Sequence, residues 1–166
     1  MIVMSAQPVF ERDRLLTWED LQGIPDDRYW GHEIVAGQLL VSPLPATRHQ
    51  SCVGSVAVLL RATCPPDLKV FVAPYDYAPR PGYSLQPDVL VARRADVGRQ
   101  RLERTPVLVV EVLSPSSRAT DRSLKRLVYE EHGVPHYWLG SATGAQPWTA
   151  DAPFPVTVVP AELLDE

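Results

Sequence analysis

The sequence predicts an α/β protein, a single domain built on a central mixed β-sheet flanked by helices, with a short N-terminal helix and a β-hairpin. Three observations carry this. The element signals run hairpin, helix, strands, helix, strand, which is neither an all-helical nor an all-strand order. Residues 107–113, VLVVEVL, hold Val or Leu at six of seven positions, the pattern of a strand buried on both faces. The chain has 166 residues, 45% hydrophobic and 22% charged, enough to enclose such a core, and it shows no repeat and no linker. The expected domain spans 1–166, with 1–14 and 142–166 peripheral.

Taken in order, residues 1–14 have no periodicity. LTWEDLQGIPDD reads as a short helix, because Thr17 followed by Asp20 resembles a capping box and Gly23 with Pro25 stops it. HEIVAGQLLVSPLP has two apolar runs around Ala36-Gly37, a tight hairpin with Glu33 in its first strand. From Thr47 to about Ala62 apolar residues recur at helical spacing until Pro65-Pro66, and His49 and Gln50 fall in the first turn, where a substrate phosphate could meet the helix end. LKVFVAP and PDVLVA read as strands, with Asp88 at the mouth of the second. The Glu111 strand follows, then SPSSRAT and a helix over Asp121 to His132, closed by Gly133 and Pro135. On a regular helical wheel Leu124, Leu127 and Val128 form its buried face, Lys125 leans inward along one edge, and Arg122 and Arg126 point outward. An ordinary Asp121–Lys125 pair is the plain alternative for that lysine. HYWLG is a further strand, and the tail offers one short strand, PVTVV, among prolines.

Composition narrows the function classes. No apolar run approaches the roughly 18–20 residues of a membrane span, and MIVMSAQPVFERDR lacks the basic start and apolar core of a signal peptide, so a soluble, cytoplasmic protein is expected. Cys52 and Cys64, about 18 Å apart along one helix, cannot pair with each other there and lack zinc spacing, which makes them structural thiols. A net charge of −4 argues against a protein that coats nucleic acid by bulk electrostatics. The charge is unevenly spread, however. Residues 80–126 hold ten Arg/Lys against five Asp/Glu. That basic segment, with Arg93, Arg94 and Arg118, is either a solvated surface or a footprint for a phosphodiester backbone.

Glu111 is the residue that needs explaining, since a lone carboxylate in an apolar strand is unfavourable by several kcal/mol unless paired, protonated or cation-bound. Asp88 lies on the preceding strand of this kind. If the two strands are neighbours, their carboxylates converge, and a divalent ion such as Mg²⁺ or Mn²⁺ would relieve the repulsion, with water and a substrate phosphate completing its shell. Lys125 could add a positive charge beside them. Such a set suits hydrolysis of a phosphodiester by water.

The segments HEIVAGQLLVSPLP, His49-Gln50 before a helix, QPDVLVA and PVLVVEVLSPSSRATDRSLKRLVYEEHGVPHYWL together resemble the Uma-two family, a restriction-endonuclease-like branch of the PD-(D/E)XK nuclease superfamily. The resemblance covers roughly residues 15–141 and is strongest from Gln86 to Leu139. It implies a restriction-endonuclease-type core, Asp88 as the PD aspartate, Glu111 as the D/E residue and both as metal ligands. Leu113 stands where the superfamily usually has lysine, and Lys125 on the next helix matches the displaced position. The hairpin acid falls on Glu33, implying a place near the metal. The sequence departs from the family pattern at Ala36, Gln38 and Ser141, where acids are usual. The implied function is metal-dependent endonuclease action on DNA, by a homodimer if both strands are to be cut. Its rivals are a non-catalytic module of the same fold that binds nucleic acid or a protein, and a purely structural protein. Convergence of the three carboxylates and Lys125 discriminates the nuclease from the binding module.

Overall fold

The computed structural model describes residues 14–25, 29–113, 120–141 and 143–164. Helix α1 (Trp18–Gln22) starts where the Thr17 backbone N–H donates to the Asp20 carboxylate at 2.7 Å, and Gly23 ends it. Its Trp18 ring N–H donates to the buried Asp76 carboxylate at 2.6 Å, tying the helix to the domain. Strands β1 (Trp30–Val35) and β2 (Gln38–Pro43) form an antiparallel hairpin. Ala36 and Gly37 turn it with φ of 50° and 78°, as two-residue hairpin turns require. A side chain at Gly37 would also collide with Leu15.

Helix α2 (Thr47–Thr63) runs until the Pro65-Pro66 pair removes the donors that would extend it. After it come β3 (Leu68–Val72), the two-residue β4 (Asp76–Tyr77), β5 (Val89–Arg93), the two-residue β6 (Arg101–Leu102) and β7 (Leu108–Val112). A π-helical turn (Thr120–Lys125) leads directly into α3 (Arg126–Glu131). Strands β8 (Tyr137–Gly140), β9 (Trp148–Ala150) and β10 (Val156–Val158) follow, and a 3-10 turn over Pro160–Leu163 comes after them.

The central sheet has the order β3-β5-β7-β8, antiparallel in its first two pairings and parallel between β7 and β8, where the helical crossover permits it. Alternation along β7 sends Leu108, Val110 and Val112 into a core shared with α2, and Val109 toward a second core holding Val128 and Tyr129 of α3. The expected mixed sheet flanked by helices is therefore present. Each fully enclosed Val or Leu side chain contributes about 1.5–3 kcal/mol, so β5 and β7 together outweigh one charged intrusion.

Two expectations need correction. Leu124 and Leu127 are 40% and 63% exposed; the buried face of this helix is Lys125, Val128 and Tyr129. The wheel held for Val128, for the inward Lys125 and for the outward Arg126, and failed at the two leucines because polar partners inside the protein, rather than apolarity, select the face, and because a π turn is wider than the 3.6-residue period assumed. The tail is not simply peripheral either. It forms the antiparallel pair β9–β10, and Ala150, Phe154, Val156 and Leu163 enter the α2-side core. Three-residue strands among prolines are too short to show a period, which is why only one was legible. Cys52 is buried and Cys64 half-buried, both as free thiols.

Candidate functional site

The pairing of Val89 with Val110 brings Asp88, the residue just before β5, level with Glu111, one residue later on the antiparallel neighbour. Both line a cavity of about 270 Å³ at this end of the sheet, together with Glu33, His49, Gln50, Gln86 and Lys125. Residues 33, 88, 111 and 125, far apart in sequence, thus share one wall.

Glu33 arrives on the hairpin, which is joined to the main body by reciprocal backbone bonds between Ile34 and Ser84 at 2.7 and 2.9 Å. Its Oε1 accepts the Gln86 backbone N–H at 2.7 Å, and its Oε2 lies 3.0 Å from the Lys125 ammonium. Lys125 also donates to Glu111 Oε1 at 3.3 Å, an oxygen that accepts the Tyr129 hydroxyl as well, at 2.9 Å. Glu111, Glu33 and Lys125 are 2%, 7% and 7% exposed, so these charges are compensated by each other rather than by water. Burial, and then the adjacent Glu111 and Glu33 charges, push the Tyr129 phenol well above its usual value, which keeps it a proton donor to Glu111.

Asp88 is held differently. Its Oδ2 accepts the Val112 backbone N–H at 2.7 Å and lies 3.2 Å from His49 Nε2, which is itself 2.9 Å from the Val112 carbonyl oxygen. His49 thereby clamps the end of β7 to the first turn of α2. One turn along, burial and the Asp88 charge push the Cys52 thiol up, consistent with an inert structural thiol.

The donor chemistry fits a hard divalent cation. An ion of the Mg²⁺ class keeps several waters and takes one or two carboxylates, which is what Asp88 and Glu111 could offer it. Among the described residues no group of three or more His, Cys, Asp or Glu side chains forms a metal-holding cluster. The expectation of Glu33 as a third ligand therefore meets a competing arrangement, since its two oxygens are taken up by Gln86 and Lys125.

The nucleic-acid candidates separate into groups. His49 and the exposed Gln50 line the cavity. Arg93 and Arg94 are exposed at the opposite end of β5, about 17 Å from Asp88 by strand rise, and Arg94 Nε donates to the Pro66 carbonyl at 2.8 Å. Arg118 lies outside the described residues, as does the Asp121 side chain. Tyr129 was missed; its position four residues after Lys125, on one helix face, was the available signal. The His49–Asp88 contact had no signal in the sequence, because nothing there states which helix end abuts which strand. No helix among the described residues is long and apolar enough to cross a membrane.

Comparison with known proteins gives two findings. Residues 18–146 match the family model described as "Uma2: Putative restriction endonuclease". The fold is similar to the crystal structure of "a putative nuclease belonging to DUF820" from Anabaena variabilis, with a TM-score of 0.63 and 18% identity over 87% of this chain and 80% of that one. No curated protein matches the chain.

Proposed function

This chain belongs to the Uma2 family and has a nuclease-like fold, and from that premise we propose that it is a metal-dependent endonuclease hydrolysing DNA phosphodiester bonds in the cytoplasm. The observation that carries the reading is the placement of Asp88 and Glu111, level with each other across adjacent chain segments, on one cavity whose wall also holds Lys125.

In this reading Asp88 and Glu111 hold a Mg²⁺ or Mn²⁺ ion. When bound, such an ion lowers the pKa of a coordinated water and stabilises charge on the phosphoryl oxygens. The chain's own residues do the rest. Lys125, fixed between Glu33 and Glu111, supplies a positive charge beside the attacking water and the developing phosphorane. Glu33 acts by holding Lys125. Tyr129 fixes the orientation of Glu111, and His49 that of Asp88, so the two carboxylates need little rearrangement. Gln50, exposed on the cavity lining, would contact the DNA backbone in this reading.

One observation favours the rival, a binding module without catalysis: Lys125 already pairs with both Glu33 and Glu111, so part of the buried negative charge is offset by the chain's own ammonium. Incubation of supercoiled plasmid and single-stranded DNA with Mg²⁺ or Mn²⁺ separates the two. We expect cleavage that stops with EDTA and falls at least about a hundredfold in Asp88→Asn, Glu111→Gln and Lys125→Ala. Cleavage indifferent to these substitutions would sink the mechanism, and retained DNA binding with no cleavage under either ion would establish the binding module instead.

A further inference from the structure

Beside the carboxylate cavity lies a second one of about 440 Å³, and its walls are apolar: Cys52 and Val56 from α2, Val110 and Val112 from β7, and the rings of Trp138 and Trp148. The two indoles meet edge to face with centroids 4.8 Å apart. Trp148 is 45% exposed, so this aromatic wall can be reached from solvent. The rim includes Gly140, where an added Cβ would meet nothing within 4 Å.

The two cavities are neighbours along shared elements. Glu111 and Val112 connect them on β7, since Glu111 lines both and the Val112 N–H binds Asp88. Helix α2 passes both, with His49 at the first and Cys52 at the second, three residues or about 4.5 Å further along the axis. A nucleotide whose phosphate sits beside Asp88 therefore has an apolar, aromatic chamber within its own reach.

We propose that this chamber receives the base of an unpaired nucleotide adjoining the scissile phosphate, so that the substrate class is single-stranded or locally unpaired DNA. The proposal rests on the endonuclease reading of the neighbouring cavity. Indole rings stack on any base, because every base has a π face. A paired base is stacked inside the duplex and could enter only by being extruded, which is unfavourable by a few kcal/mol. The walls carry few polar groups, so the chamber distinguishes unpaired from paired DNA while leaving base identity unread.

The experiment measures anisotropy of a labelled oligothymidylate eight nucleotides long in EDTA, against an abasic strand of the same length and charge. Wild-type protein should bind the base-bearing strand at least tenfold more tightly than the abasic one. Gly140→Phe, which fills the chamber without opening the core, and Trp148→Ala should abolish that ratio while leaving abasic binding unchanged. Equal affinity of the wild type for the two strands overturns the proposal, and so does a ratio that survives in Gly140→Phe. A concentration-dependent dimer that Gly140→Phe dissolves and the oligonucleotide does not compete with would assign the chamber to a second copy of the chain, and also overturns it. The ratio is independent of cleavage: a protein that cuts DNA without base-dependent binding loses only this inference, and one that shows the ratio without cutting keeps the chamber as a base-binding site but loses the endonuclease reading and, with it, the assignment of that DNA as substrate.

Discussion

Lys125→Met replaces an ammonium enclosed between two carboxylates with an uncharged side chain of similar length. The nitrogen lies 3.0 Å from Glu33 and 3.3 Å from Glu111, and its side chain is 8% exposed against 9% and 3% for theirs. Its removal leaves two acids of like charge in a site water scarcely reaches. Removing one partner of a buried ion pair typically destabilises by about 3–5 kcal/mol. For a domain of this length each kcal/mol moves Tm by about 2–4 °C, so calorimetry in EDTA at neutral pH should record a fall of about 6–20 °C. The same substitution in a Glu33→Gln background should be milder by about 1–3 kcal/mol, since only Glu111 then lacks its cation. A fall below about 2 °C, or an equal fall in both backgrounds, would refute the claim that Lys125 offsets the charge of both acids.

Two further outcomes follow from the same geometry. The Tyr129 phenol stays protonated in the folded protein above the value of about 10 at which it ionises in the unfolded chain, so the unfolded state loses a proton first and stability declines as pH rises past that point; Tyr129→Phe should flatten the alkaline limb of Tm against pH relative to wild type, and an unchanged limb would count against this. Arg93→Ala with Arg94→Ala, at the far end of β5, should lower the salt slope for a long duplex by about 1.8 if both meet phosphates. An unaltered slope would make that basic segment merely solvated surface.

How much of this was legible in the sequence depended on what each residue answers to. The four central strands, the hairpin turn at Ala36-Gly37 and helix α2 follow from periodicity and turn chemistry, which are local. The acid in the apolar run at Glu111 was visible as an anomaly, the neighbouring strand and the inward edge of the next helix offered Asp88 and Lys125 as companions, and the resemblance matched both to family positions. The buried face of α3 was legible only in part: Val128 and the inward Lys125 were read, but Glu111 on another element also selects Tyr129, and Leu124 and Leu127 looked like better core residues than it. Glu33 was seen as an acid near the site, but its partners, the Gln86 amide and the Lys125 ammonium, depend on how the hairpin docks. The chamber between Trp138 and Trp148 required the tail to fold back as β9 and β10.

The hairpin that delivers Glu33 is a two-stranded sheet of its own, outside the central one. Contacts between positions 33 and 125 close a loop of more than ninety residues, so they are entropically late to form, whereas the Glu111–Lys125 contact spans only fourteen. The central sheet can therefore condense around its aliphatic strands while the charged wall is still hydrated, and the hairpin arrives afterwards as a seal. Substitutions that loosen its docking should accordingly hasten unfolding far more than they slow folding, which puts the lifetime of the assembled pocket under the control of an element that contributes one side chain to its charge network.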